Sequence, residues 1–312
     1  MKIKVLGSAA GGGFPQWNCN GRLSRAVRAG EPGFQPRTQS SIGVSADGQR
    51  WVLFNASPDL RQQIAQTPEL HPDRTKGLRN SPIEAVVLTN ADVDHIAGLI
   101  NLREREPFWL YAHQRILDVL AANSIFNVLD PGLVERCPLP FREPTALSGP
   151  DGPLGLSIEA FPVPGKVALF LEDAGKGADF GTQEGNTIGV KISASGGDQS
   201  RACYYIPGCA RVDGATLDRV EGAGCLLFDG TVFVDDEMLR AGVGTKTGQR
   251  MGHNAIDGPT GSLQGFANSH VGRKIFIHIN NTNPILEEGS DAELKVRAAG
   301  WDIAFDGMEI EL

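Results

Sequence analysis

The tightest constraint on how this chain folds is the stretch Ala85-Val86-Val87-Leu88-Thr89-Asn90-Ala91-Asp92-Val93-Asp94-His95-Ile96-Ala97-Gly98-Leu99. A short apolar, β-branched run ends at Thr89. Asn90, Asp92, Asp94 and His95 follow, and then a helical pattern of Ile96, Leu99, Ile100 and Leu102 takes over. An unbroken apolar strand needs cover on both faces, which points to an α/β fold. Polar groups at its carboxyl end lie where open α/β folds build their sites. Asp94 and His95 offer one anionic oxygen and one imidazole, donors that suit Zn, Fe or Mn. Taken alone, the pair reads equally well as a helix cap and a residue packed in the first turn.

A chain of 312 residues can bury one large α/β core or two smaller ones. No apolar run approaches the roughly 20 residues of a membrane helix. The amino terminus, Met1-Lys2-Ile3-Lys4-Val5-Leu6-Gly7, alternates like a strand and lacks the apolar block and cleavage site of a signal peptide, so a cytoplasmic location is expected. The five cysteines include no Cys-x-x-Cys pair, which argues against a disulfide framework and a zinc finger. A net charge of −8 disfavours nucleic acid as a partner, because phosphate contacts need a basic surface.

Along the chain, the glycine loop Gly7 to Pro15 lacks the Gly-Lys-Ser/Thr of a phosphate-binding loop and reads as a structural turn. Strands are expected at Ser40 to Val44 and Trp51 to Phe54, joined at Asp47-Gly48, followed by a helix opening at Ser57-Pro58-Asp59. A strand at Phe108 to Ala112 and a helix at Gln114 to Asn123 come next. From Pro138 to Gly155 the composition shifts to Pro, Gly and Ser, which reads as a surface connection and a seam between two halves. Strands follow at Leu156 to Val163, Ala168 to Leu171, Thr187 to Ile192, Ala202 to Ile206 and Cys225 to Phe228. Gly175 to Asn186 reads as a polar loop, and Lys274 to Pro284 as a buried strand emptying into polar residues, with His278 at the end of the strand. Strand runs each followed by helices suggest two similar halves stacked as one sandwich domain over residues 1–312.

This punctuation resembles the metallo-β-lactamase superfamily over nearly the whole chain: strand–Thr-x-x-x-x-Asp-His–helix, then strand–Pro-Gly, strand–acid and strand–His. The resemblance implies an αββα sandwich of two mixed sheets with helices outside and a metal site at the strand ends. The superfamily's His-x-His-x-Asp-His motif falls on Asn90, Asp92, Asp94 and His95, its later histidine on Lys166, its bridging aspartate on Cys209 and its last histidine on His278. A lysine ammonium has no lone pair to donate, so the first of the usual two metal sites lacks its ligands. Asp94, His95 and His278 retain the second, a two-imidazole, one-carboxylate set of the kind used by non-haem Fe(II) oxygenases.

Longer segments resemble a family of pyrroloquinoline quinone (PQQ) biosynthesis proteins: Gly7 to Asn20, Arg37 to Ser41, Asn55 to Asp59, Gly230-Thr231 with Asp235 to Met238, Met251-Gly252-His253 and His278 to Pro284. That resemblance implies an Fe(II)- and O2-dependent hydroxylase acting on the tyrosine ring of a Glu–Tyr cross-linked precursor. Zinc is an alternative occupant in a purified sample. The family's Cys-x-Cys-x-x-Cys zinc cluster is broken, since Cys19 is followed by Gly21 and Ser24, and a structural zinc is not expected.

The metal ligands expected are Asp94, His95 and His278, with Asp92 as a further ligand or an orienting residue. His253 is expected to position substrate or move a proton, Asp229 to support it, and Lys166 and Arg61 to receive substrate carboxylates. The other partners left open are a second copy of the chain and other proteins of the pathway, with neither nucleic acid nor a membrane. A zinc hydrolase of the parent superfamily and a non-enzymatic carrier of the finished quinone are the rival functions.

Overall fold

The computed structural model describes residues 1–177 and 179–312. The first sheet contains β1 (Lys2–Gly7), β2 (Ser41–Ser45), β3 (Trp51–Phe54), β4 (Ile83–Leu88), β5 (Phe108–Ala112) and β6 (Val134–Pro138). The second contains β7 (Pro144–Gly149), β8 (Gly152–Pro162), β9 (Ile188–Ala194), β10 (Cys203–Ile206), β11 (Cys225–Asp229), β12 (Arg273–Ile277) and β13 (Trp301–Ile303). The last strand, β14 (Glu309–Glu311), returns to the first sheet and pairs antiparallel with β1. The sheet orders are therefore β14-β1-β2-β3-β4-β5-β6 and β13-β12-β11-β10-β9-β8-β7. Both are mixed: β3 to β6 and β10 to β13 run parallel, the remaining pairs antiparallel.

Period-two alternation explains the sandwich. Val52, Phe54, Ala85 and Val87 face Ile158, Val190, Tyr205 and Leu227 between the sheets. The alternate residues Leu53, Val86, Leu88 and Leu110 pack outward against helices carrying Leu60, Ile96, Ile116 and Leu120. On the far side, Tyr204, Leu226, Phe228 and Phe276 are covered by Val220, Phe266 and Val296. Every residue of β4 is buried, which is why its sequence shows no amphipathic pattern.

Two expectations change. The Pro, Gly and Ser-rich stretch from 138 to 155 carries the chain from one sheet to the other, but most of it forms the β7–β8 hairpin. Leu147, Leu154 and Leu156 point into the core while small and polar residues occupy the other face, so a half-exposed pair of strands looked like a loop by composition. Ala168 to Leu171 is not a strand. Leu169–Leu171 forms a 3-10 turn, and all three side chains are substantially exposed beside the site described below. The polar loop expected at Gly175 to Asn186 includes residue 178, which lies outside the described residues. Among the described residues no helix is long and apolar enough to cross a membrane.

Candidate metal centre

β4 ends at Leu88, and the chain turns through Thr89 to Ala91 into the short helix Val93–Ile96. That helix is clamped to the loop after β3: the Ala56 N–H donates to the His95 carbonyl at 2.7 Å, and the Gly98 N–H donates to the Ala56 carbonyl at 2.8 Å. Gly98 is required there, because a Cβ would stand 2.0 Å from the Ser57 carbonyl oxygen. From the opposite sheet, β12 delivers His278 immediately past its end, with φ +61°, a left-handed conformation unusual for a residue with a Cβ.

These two strand ends bring Asp94, His95 and His278 together. His278 Nε2 lies 3.0 Å from Asp94 Oδ2, and His95 Nε2 lies 3.9 Å from the same oxygen. His95 Nδ1 donates to Asn90 Oδ1 at 2.7 Å. Asn90 Oδ1 also accepts the Asp92 N–H, and its amide donates to Asp92 Oδ2, so the orientation of the Asn90 side chain is set by three contacts. With its Nδ1 proton committed, His95 presents the Nε2 lone pair inward. That atom is buried and has no hydrogen-bond partner among the described residues.

A second layer holds His278. The Thr231 hydroxyl donates to Asp229 Oδ1 at 2.6 Å and accepts from His278 Nδ1 at 2.8 Å. Asp229 Oδ2 accepts the Cys209 N–H at 2.9 Å and lies 2.8 Å from His253 Nδ1. The His253 ring stacks on His278 with centroids 5.1 Å apart.

The electrostatics follow from this packing. Burial pushes the His95 pKa down to about 4 even though Asp94 favours its charged form, so the imidazole is neutral. Burial pushes Asp94 upward, but His95 and His278 more than offset it and hold this carboxyl well below the ordinary range. His278 is likewise opposed by burial yet raised overall by the Asp94 contact. Asp92 is pushed up to about 6 by burial and by Asp94. Burial also opposes ionisation of Asp229, but His253, His278 and Thr231 keep its pKa below the usual value.

Among the described residues two sets of donors come close enough for a shared ion, Asp94–His95–His278 and Asp229–His253–His278. The first fits a divalent metal: one carboxylate, two imidazoles, and a buried lone pair with no other partner. In the second, both Asp229 oxygens are already occupied by Thr231, Cys209 and His253, so it reads as support for the first.

The remaining sequence candidates divide. Asp92, Lys166 and His253 line the same cavity of about 340 Å³, together with Asp94 and His278. Asp92 receives the Leu169 N–H at 3.3 Å and the Asn90 amide at 3.0 Å, both orienting contacts. Arg61 is corrected as a cavity residue: it is exposed on the helix Leu60–Gln66 and does not line that space. The side chain of a residue so early in a helix projects by the helix's own rotation, which a position near a strand end does not reveal. Cys209 keeps a buried thiol, pushed up to about 12, whose sulfur lies 3.0 Å from the Arg211 carbonyl oxygen.

Sequence reasoning missed Thr231, Lys246 and Gly11. Thr231 belongs to a segment that carries the family resemblance and directly follows Asp229-Gly230, yet its orienting role is not legible there. Lys246 lies in a loop without a distinguishing pattern. The glycine loop is more than a turn, since Gly11 lines the cavity and a Cβ there would stand 3.4 Å from Asp94 Oδ2.

The β-lactamase superfamily domain matches residues 50–279. The chain is 52% identical over 311 residues to coenzyme PQQ synthesis protein B of Gluconacetobacter diazotrophicus, covering 99% of each. It is 51% identical to the protein of the same name from Xanthomonas oryzae pv. oryzae, covering all of both. Among solved structures it is similar to zinc-bound PqqB from Methylobacterium extorquens, with a TM-score of 0.92 and 50% identity over the full length of both chains. A diphosphatase of the PhnP family, 20% identical with a TM-score of 0.67, covers 100% of this chain and 96% of its own and shares the fold.

Proposed function

The chain belongs to the β-lactamase superfamily and, within it, to the coenzyme PQQ synthesis protein B family, and from that premise we propose that it is a mononuclear, Fe(II)- and O2-dependent hydroxylase of PQQ biosynthesis. A role in PQQ biosynthesis and a metal cofactor follow from the family and the donor set. The finer reading names the tyrosine ring of a Glu–Tyr cross-linked precursor as the substrate.

The observation that carries it is the buried, partnerless Nε2 of His95 facing Asp94 and His278. An unsatisfied buried nitrogen costs about 1–3 kcal/mol, which coordination to a cation relieves. Asp94, His95 and His278 would hold Fe(II), leaving coordination positions free for ligands from the cavity. Bound there, Fe(II) supplies the one-electron chemistry that lets triplet O2 react with a closed-shell phenol ring. Converting an aryl C–H to C–OH with O2 consumes two electrons and two protons and releases water, so turnover requires an external two-electron reductant of the ascorbate class beside O2.

The chain's own residues orient and handle protons. Asn90 fixes the His95 tautomer, and Thr231 with Asp229 fixes that of His278. His253 lines the cavity with Nδ1 committed to Asp229, so its other ring nitrogen is free to exchange a proton with a phenol. Lys166 supplies a local cation for an anionic substrate in an acidic protein. The hydrolase reading is weaker because Asn90, Asp92 and Lys166 occupy the positions of the first metal site, and a two-metal clamp needs those ligands.

Anaerobic reconstitution with Fe(II), followed by the cross-linked Glu–Tyr substrate, ascorbate as reductant and O2, tests the proposal. A product heavier by oxygen supports it. Turnover with Zn(II) in the absence of O2 would establish hydrolysis instead, and tight binding of the finished quinone without turnover would establish a carrier.

A further inference from the structure

Three cations close on one carboxylate at the mouth of the cavity. Glu172 Oε1 lies 2.9 Å from Lys166 Nζ and 3.1 Å from Arg250 Nη1, and Oε2 lies 2.7 Å from Arg250 Nη2 and 3.8 Å from Lys246 Nζ. Arg250 and Lys166 hold the Glu172 carboxyl down to about 2 against the opposing effect of burial, so it stays ionised at neutral pH. Arg250 is committed: its two nitrogens take both oxygens of Glu172, and its plane lies 3.6 Å over the Phe180 ring.

Lys166 and Lys246 differ from Arg250 in lining the cavity itself. An ammonium has three donors, and Lys166 gives only one of them to Glu172. Its position is built into the fold. The lysine stem lies on the bare backbone of Gly252, where a Cβ would stand 2.8 Å from Lys166 Cγ. Gly252 also has φ +88°, so a side chain is excluded twice. Across the space, Leu169, Met238 and Met251 provide apolar and thioether surface of the kind that packs against an aromatic ring. Of the charged groups lining this cavity of about 340 Å³, Asp94 is engaged by His278, and Asp92 by the Asn90 amide and the Leu169 N–H. Glu172, outside the lining, is taken on both oxygens by Arg250, which leaves the ammonium groups of Lys166 and Lys246 as donors for an incoming anion.

We infer that Lys166 and Lys246 form a carboxylate clamp, so that the site selects an aromatic ligand bearing more than one carboxylate, with the ring against Met238 and Met251. This inference rests on the proposed function for the location of the substrate and extends it by naming Lys246 as a specificity residue. Arg61, a cation of equal charge outside the cavity, takes no part.

Calorimetric titration with isophthalate, benzoate and isophthalamide tests it, on Zn(II)-loaded and on chelator-treated full-length protein. Isophthalate should bind more tightly than benzoate, and isophthalamide least. Lys246→Met should weaken isophthalate about tenfold, the worth of one charge-assisted contact, and leave isophthalamide unchanged. Lys246→Arg should keep binding within about threefold, and Arg61→Met should leave it unchanged. Equal isophthalate affinity in Lys246→Met and wild type would overturn the clamp, as would an equal loss in Arg61→Met or no preference of the wild type for isophthalate over isophthalamide. Metal content measured on the same samples separates the two readings. A clamp that fails with metal retained sinks this inference alone, whereas a donor set that holds no metal sinks the proposed centre while the metal-free titration still reports on the lysines.

Discussion

Asn90 accepts the Nδ1 proton of His95 at 2.7 Å and so turns the neighbouring nitrogen of that ring toward Asp94 and His278. The residue standing where the superfamily motif begins with a histidine thus acts on the surviving site by orienting one of its donors.

This division of labour predicts different outcomes at the two positions. His278→Ala should abolish metal binding, since it removes one of three donors. Asn90→Ala should keep the metal with affinity lowered about 10–100-fold, the usual cost of losing an orienting partner. Metal analysis after dialysis, with a competition titration, distinguishes them. Equal retention in both variants would refute the assignment.

Thr231 links His278 to Asp229 through one hydroxyl. Thr231→Val keeps the shape and removes the link, leaving His278 Nδ1 and Asp229 Oδ1 each short of a partner. Metal affinity should fall about tenfold or more, and a buried unpaired group should cost about 1–3 kcal/mol of stability. A variant with wild-type affinity would show that the ring needs no orienting hydroxyl.

Gly98 lets the helix that bears His95 sit directly on the backbone of residues 56 and 57. Gly98→Ala should destabilise the protein by about 1–3 kcal/mol through overpacking and shift His95 away from its partners. Chemical denaturation measures the first effect and metal titration the second. An unchanged denaturation midpoint would mean that the loop yields freely.

Glu237 is buried, with Oε2 accepting the Phe233 N–H at 2.6 Å and Oε1 contacting the Thr282 hydroxyl, and burial pushes its pKa up to about 7. A carboxyl with a raised native pKa binds its proton more tightly when folded. Stability should therefore fall as pH climbs from the ordinary carboxylate range through about 7, by up to roughly 3 kcal/mol, and then level off. Glu237→Gln keeps an acceptor for Phe233 without the charge, so it should flatten that slope and be relatively more stable at pH 8 than at pH 5. Denaturation at both pH values checks this, and a difference between variant and wild type that does not change with pH would show that Glu237 titrates normally.

Much of the fold is written locally. The apolar runs of β4, β10 and β11 are legible because burial on both faces keeps most of their positions apolar, with Glu84 near the start of β4 and Asp229 at the end of β11 as the charged exceptions. The β7–β8 hairpin was not, since a half-exposed strand rich in small residues carries the composition of a loop. The turn Leu169–Leu171 misled in the opposite direction, because three exposed apolar side chains imitate a buried strand.

By itself, the sequence determined the strand runs and the pairing of Asp94 with His95, because helix and strand periodicity and adjacency are properties of neighbours along the chain. Only the tertiary structure decided that His278, 184 residues beyond Asp94, lies 3.0 Å from it, and that Thr231 ties that ring to Asp229. It also decided that Lys246, rather than Arg61, reaches the cavity. Such convergence depends on strand order, on the register across two packed sheets, and on the rotation of each side chain out of its own element. Those quantities are set by packing between segments far apart in the chain.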